Sequence, residues 1–236
     1  MFKALRAAFG LLTRLPVRPT PLDPEAVWAF PLAGLVVGAI AALVQGAALA
    51  LGLPAGPAAA LALTVLILLT GGLHEDGLAD CADGLWGGFE RAGRLEIMRD
   101  SRVGSYGVLA IGTTLLIRWS CLVVAGPWGL VIAAVLSRAT MVWPMSRLPH
   151  AREDGLARLS GRPSGRAMAL AAGVAVLLVL PLAGWSLIWL LPAVALAGHC
   201  AAMIARAKIG GQTGDILGGT QQLAEMAALL VLATLV

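Results

Sequence analysis

Asp76, Asp80 and Asp83 stand at spacings of four and three in the run Gly71-Gly-Leu-His-Glu-Asp-Gly-Leu-Ala-Asp-Cys-Ala-Asp-Gly84. On a helix these spacings put all three carboxylates on one stripe. Like charges this close repel, so the stripe calls for a cation or shared protons. Oxygen ligands of this kind suit magnesium or manganese better than zinc. His74 beside them has the chemistry of a ligand or a base, and equally that of a buried hydrogen-bonding residue.

Two further polar islands accompany the stripe. Met98-Arg-Asp-Ser-Arg-Val-Gly-Ser-Tyr-Gly107 supplies Arg99, Asp100, Ser101 and Arg102. Arginines with backbone amides in a Gly/Ser loop match phosphate oxygens, although arginines there also serve simply as loop anchors. Gly210-Gly-Gln-Thr-Gly-Asp-Ile-Leu-Gly-Gly-Thr220 lacks the Gly-Lys-Ser/Thr ending of a P-loop, yet offers Thr213, Gly214 and Asp215 to a ligand or second metal. Arg118 and Arg138 fall inside apolar runs, where an arginine must face the interior, pairing with an acid or reaching a phosphate.

The elements that must position these groups are membrane helices. The chain has 236 residues, 59% hydrophobic and 13% charged, against about 25% charged in soluble domains. Its apolar residues come as long runs, expected to span near 31–51, 57–73, 107–125, 128–146, 167–184 and 186–204, with a short seventh at 223–236. The fold expected is an all-α polytopic integral membrane bundle of about six to seven transmembrane helices. Lys3, Arg6 and Arg14 opposite Leu5, Phe9 and Leu12 add an N-terminal helix lying on the membrane surface. Residues 1–236 form a single membrane-embedded domain with no room for a separate soluble one. The three cysteines suggest neither disulfides nor a zinc knuckle.

Basic residues, among them Arg91, Arg94, Arg147, Arg158, Arg166 and Arg206, gather in loops at about 74–106, 147–166 and 205–222. The positive-inside rule puts those loops in the cytoplasm and the protein in the inner (cytoplasmic) membrane. The acids cluster at that one face, which disfavours a cation-coupled transporter with midplane sites. The pattern of a CDP-alcohol phosphotransferase also fails, because Ala79 is followed by Asp80 where that family needs arginine. No nucleic-acid partner is indicated.

HEDGLADCADG (74–84), MRDSRVGSYGVLA (98–110) and GGQTGDILGG (210–219) together resemble the cobalamin synthase family, the adenosylcobinamide-GDP ribazoletransferases. LLTRLPV (11–17), Ser137-Arg138 and the stretch from Ala151-Arg152 to Gly155-Leu156 extend the resemblance along the chain, while Glu75 departs from it. The resemblance implies magnesium-dependent joining of adenosylcobinamide-GDP to α-ribazole, or its 5′-phosphate, with release of GMP. It implies Asp76, Asp80 and Asp83 as magnesium ligands and one of them, or His74, as proton acceptor. Arg99, Arg102, Arg138 and Arg152 would meet the substrate, with Asp100, Ser101, Thr213, Gly214 and Asp215 completing the site. The expected partners are these two substrates and the bilayer. The sequence leaves open a homo-oligomer, or association with other enzymes of the pathway.

Overall fold

The computed structural model describes residues 1–18, 20–153, 155 and 160–235. Among them the chain is helical, with no strand beyond one isolated bridge between His150 and Gln212. Arg158 and Leu156 lie outside the described residues.

The amphipathic α1 (Phe2–Leu12) buries Ala7, Ala8 and Leu12 and leaves Phe2 exposed. Thr13 turns the chain out by extended geometry. Arg14 therefore lies beyond the helix, rather than on its polar face as the spacing suggests. Its amide donates to the Leu69 carbonyl at 2.7 Å, and its side chain occupies the space a Cβ at Gly71 would need. A guanidinium at the end of a helix whose last carbonyls point outward is favourably placed.

A 3₁₀ turn (Pro24–Ala29) leads into α2 (Phe30–Ala50). α2 packs against the centre of the bundle, with Gly34 and Gly38 pressed on the Ala134 and Val131 backbone. α3 (Ala55–Thr70) has 16 residues and ends at Gly71 and Gly72, both left-handed at φ 67° and 69°. α4 (Leu73–Gly87) departs at 87° to it. Much of the expected loop 74–106 is thus helix, completed by the short α5 (Arg91–Ile97).

α6 (Ser105–Thr140) is broken at Gly126, where φ 68° and ψ −172° are non-helical, just before Pro127. Twenty residues of straight helix would hold Arg118 and Arg138 about 30 Å apart. Both instead bind Glu225, so the chain doubles back at Gly126. The return half is the middle of the molecule: Leu130 to Arg138 are all buried.

After α7 (Val142–Arg147), α8 (Gly165–Ala183) and α9 (Leu187–Ile209) are joined by a 3₁₀ turn at Gly184–Ser186. They run antiparallel, since Met168 and His199 meet one end of a cavity and Val176 and Leu191 the other. α10 (Gly214–Thr234) closes the chain with 21 residues, starting nine residues before the expected span.

Four stretches are long and apolar enough to cross a bilayer: Pro24–Ala50, Ser105–Arg147, Gly165–Ile209 and Gly214–Thr234. A fifth arises if α3 and α4 make one broken span. The 43- and 45-residue stretches contain the reversals just described. This is a multi-pass helical bundle.

Candidate active site

The first turns of α4 and α10 cross closely because glycines remove the side chains between them. A Cβ on Gly77 would come within 3.0 Å of the Asp215 carbonyl oxygen and 3.2 Å of the Gly218 Cα. Gly219 faces Cys81 in the same way, at 3.3 Å from Sγ. The glycine island that reads as a ligand-wrapping loop is therefore mostly helix, and its Gly218 and Gly219 serve this contact. The crossing sets the acids of α4 beside Asp215.

Thr213 caps α10: its Oγ accepts from the Ile216 amide at 3.3 Å and donates to Asp215 Oδ2 at 3.1 Å. A third segment is held to the site through its backbone. Gln212 N donates to the Pro149 carbonyl at 2.8 Å, and Ala151 N donates to that of Gln212 at 2.9 Å. Gly211 admits this pairing, because a Cβ there would strike the Pro149 carbonyl. Arg152 follows, with Nη1 3.3 Å from Asp215 Oδ2 and Nη2 donating to Leu95 O at 3.0 Å.

These elements enclose a cavity of about 330 Å³. Its polar lining comes from His74, Asp76, His150, Arg152, Ser160, Gln212, Thr213 and Asp215; Gly214 also lines it. Its apolar lining comes from Leu11 and Leu12 of α1 with Phe30, Leu73, Met141, Met145 and Leu217. His74 is 1% exposed with neither ring nitrogen hydrogen-bonded, and the buried Oε1 of Gln212 is also unpartnered. Unpaired buried polar groups are costly and rare. Here they border the cavity that also takes in Asp76, Arg152 and Asp215.

Asp76 is exposed and Asp80 half-buried. The Asp80 carboxyl is pushed up to about 7, first by burial and then by the charges of Asp215 and Asp76. That repulsion is the condition that a bound cation relieves. Among the described residues no three acidic, histidine or cysteine side chains already converge as a metal cage. The charge coupling of Asp80 to Asp76 and Asp215 is what a magnesium ion, bound through one or two carboxylates with water in the remaining positions, would relieve.

Asp83, expected among the metal ligands, is directed to the start of α6. Its two oxygens accept the amides of Gly104 and Gly107 at 2.8 and 2.9 Å, so it caps the start of α6. Both glycines leave room for it, since a Cβ on either would collide with the carboxylate. Arg99, Asp100, Ser101 and Arg102 lie between α5 and α6 and do not line the cavity. Arg102 pairs with Asp100 at 2.6 Å, and its hydrogen bonds draw that carboxyl down to about 2.

Arg138 is also placed elsewhere. It is 1% exposed, and its Nη1 meets Glu225 Oε2 at 2.6 Å. Arg118, fully buried, joins the same carboxylate at 2.5 Å and Glu75 at 3.1 Å. Gln221 donates to Glu225 at 2.6 Å, and Gln222 donates to Glu75 at 3.0 Å. Two arginines and two glutamates balance in charge, as burial demands. Of the expected residues, the cavity unites His74, Asp76, Arg152, Thr213, Gly214 and Asp215, with Asp80 adjoining. Sequence reasoning did not single out Gln212 or His150, and it did not pair Glu75 and Glu225 with the buried arginines. Gln212 had a signal in its place within the glycine island, whereas the glutamates' partners are set by tertiary packing.

A polar, acid-bearing cleft walled by helices of a multi-pass bundle places the chain among the membrane-embedded enzymes. It belongs to the cobalamin-5-phosphate synthase family, whose model matches residues 4–233, and so to the enzymes of cobalamin biosynthesis. It is 47% identical over 242 residues to an adenosylcobinamide-GDP ribazoletransferase of Bradyrhizobium diazoefficiens, covering 97% of this chain and 92% of that one. Proteins of the same name from Rhizobium etli and Mesorhizobium japonicum are 42% and 44% identical. Those alignments cover 96% and 87% of this chain, and 95% and 82% of theirs. No solved structure matches the chain.

Proposed function

We propose that the chain joins α-ribazole, or its 5′-phosphate, to adenosylcobinamide-GDP with release of GMP, and that magnesium is required. The observation that carries this reading is the meeting of Asp76 and Asp215 with Arg152 and the unpartnered His74 in one cavity, with Asp80 adjoining and coupled by charge to both aspartates. A ribose hydroxyl of the acceptor attacks the phosphorus that bears the cobinamide alcohol. The new P–O bond forms as the anhydride bond to GMP breaks, and GMP leaves with the electron pair.

Transfers of this kind depend mainly on positioning and charge neutralisation. Asp76, Asp80 and Asp215 would hold the magnesium, which supplies neutralisation of phosphate charge. Arg152, already beside Asp215, reaches diphosphate oxygens by a small rotation and forms charge-assisted bonds there. A ring nitrogen of His74 takes the hydroxyl proton, because it lines the cavity and no protein group engages it. The apolar wall from α1, Phe30 and Met141 receives the acceptor's base. Asp83 holds α6 in place for the site and is not a direct metal ligand in this reading.

The localisation proposed is the inner membrane, with the cavity opening to the cytoplasm, the side that the positive-inside rule favours for the arginine-rich segments. The test is product formation by purified protein in liposomes given both substrates, with and without magnesium, beside Asp76→Asn, Asp215→Asn and His74→Ala. Magnesium-dependent product, lost at least a hundredfold in each folded variant, is expected. No product from folded wild type, or equal turnover in the Asp215 variant, refutes the reading.

A further inference from the structure

A second cavity, of about 490 Å³, lies between α8, α9 and the return half of α6, and shares no lining residue with the acidic one. Ala172, Ala175 and Val176 wall it on one side, and Leu191, Val194 and Ala195 on the other. It runs lengthwise along the helices. Met168 and His199 mark the end near α7, while Val176 and Leu191, eight residues along each helix, mark the deep end. Eight helical residues cover about 12 Å.

The two ends differ in chemistry. The deep end is purely aliphatic. At the other, the Trp143 and His199 rings meet at 6.4 Å, and Arg147 sits 5.3 Å over the Trp143 ring. Arg166, exposed, stands two residues before Met168. Neither arginine pairs with a carboxylate among the described residues. Glu25, which reaches the start of α8, is taken by Ser164 through its amide and hydroxyl at 2.9 and 2.7 Å. Amphipathic rings beside free arginines are what a bilayer-facing site has at headgroup level.

The lining selects the occupant: a groove of alanine and aliphatic side chains suits a hydrocarbon chain, and the arginines at its aromatic end suit an anionic headgroup. We propose that this cavity binds one acyl chain of an anionic phospholipid, with the lipid phosphate between Arg147 and Arg166 and the Trp143–His199 pair at the polar boundary. This rests on the membrane-embedded fold and not on the reaction proposed above.

The test uses the full-length protein in detergent, titrated with phosphatidylglycerol or phosphatidylcholine of identical chains. Bound lipid is counted by native mass spectrometry, and apparent affinity is taken from thermal shift. Wild type should keep one phosphatidylglycerol and bind it more tightly than phosphatidylcholine. Ala195→Phe, which fills the cavity from an exposed position, should lose that lipid. Arg147→Gln with Arg166→Gln should lose the preference for the anionic headgroup, roughly fivefold in affinity for each arginine. The same lipid count in Ala195→Phe, or an unchanged preference in the double arginine variant, overturns the proposal. So does a stable dimer that Ala195→Phe converts to monomer, because a second copy would then cover the groove.

Discussion

Replacing Glu225 by glutamine should destabilise the protein far more than a typical surface substitution. Glu225 is fully buried and takes Arg118 at 2.5 Å on one oxygen and Arg138 at 2.6 Å on the other. Glutamine keeps the shape and one acceptor but removes the charge. Two buried arginines would then share Glu75 alone, and Glu75 reaches only Arg118. Breaking a buried pair by removing one partner costs about 3–5 kcal/mol, most of it the penalty of the stranded charge. Removing that charge as well should recover much of the loss, so Glu225→Gln with Arg138→Met should be more stable than Glu225→Gln alone. The assay is reversible unfolding in mixed micelles with increasing denaturing detergent, followed by far-UV circular dichroism and arranged as a double-mutant cycle. A single-variant loss under about 1 kcal/mol, or a double variant no better than the single, would refute charge balance as the reason these residues are buried together.

Asp83→Ala should act on stability, because two charge-assisted amide bonds at about 1.5–3 kcal/mol each are lost from the start of α6; hydrogen exchange at Gly104 and Gly107 would show it. Metal affinity lost without any change in that exchange would return Asp83 to the ligands. Gly77→Ala should lower kcat at least tenfold by prising α4 from α10, since displacements of about 1 Å can cost a hundredfold. Gly112→Ala, within α6, outside the cavity lining and with nothing within 4 Å of its Cβ position, is the control expected to keep activity. The Asp80 carboxyl, raised to about 7, binds its proton more tightly folded than unfolded. Metal-free protein should therefore lose stability as pH climbs from about 4 to about 7 and level off above. Melting temperatures across that range should show the slope in wild type, and Asp80→Asn should flatten it.

The stripe of acids was legible because helical spacing is a local property, and α4 has the geometry that spacing demands. What Asp83 does with its oxygens was not legible. Its partners are amides 21 and 24 residues away, and nothing in the run 74–84 announces them. Arg138 shows the same limit. An arginine in an apolar run must find a partner, but whether that partner is a phosphate or a glutamate 87 residues on depends on packing. The glycine island misled for a related reason. Glycine disfavours helix by about 1 kcal/mol, so local propensity reads a loop, yet close contact with α4 is obtainable only without side chains. The long apolar runs gave the bundle correctly. The turn at Gly126 was also legible, since Gly-Pro between two apolar runs is a strong local break.

His74 links the two polar systems. It is in the first turn of α4, one residue before Glu75 of the buried ion network and two before Asp76 of the cavity. Its Cα lies under Gly218 of α10, 3.4 Å from that glycine's Cβ position, and Glu225 is two turns further along the same helix. The network thus fixes α4 against α10 from beneath, while the glycine contact fixes them at the level of the acids. A histidine held between such supports cannot turn to find a protein partner, which accounts for two unpaired ring nitrogens at 1% exposure. Rigid support of this kind is what a group needs if its partner is to arrive with the substrate. Loosening the network by Glu75→Gln or Gln222→Ala should therefore lower kcat although no cavity-lining residue is substituted, which steady-state kinetics in liposomes would show.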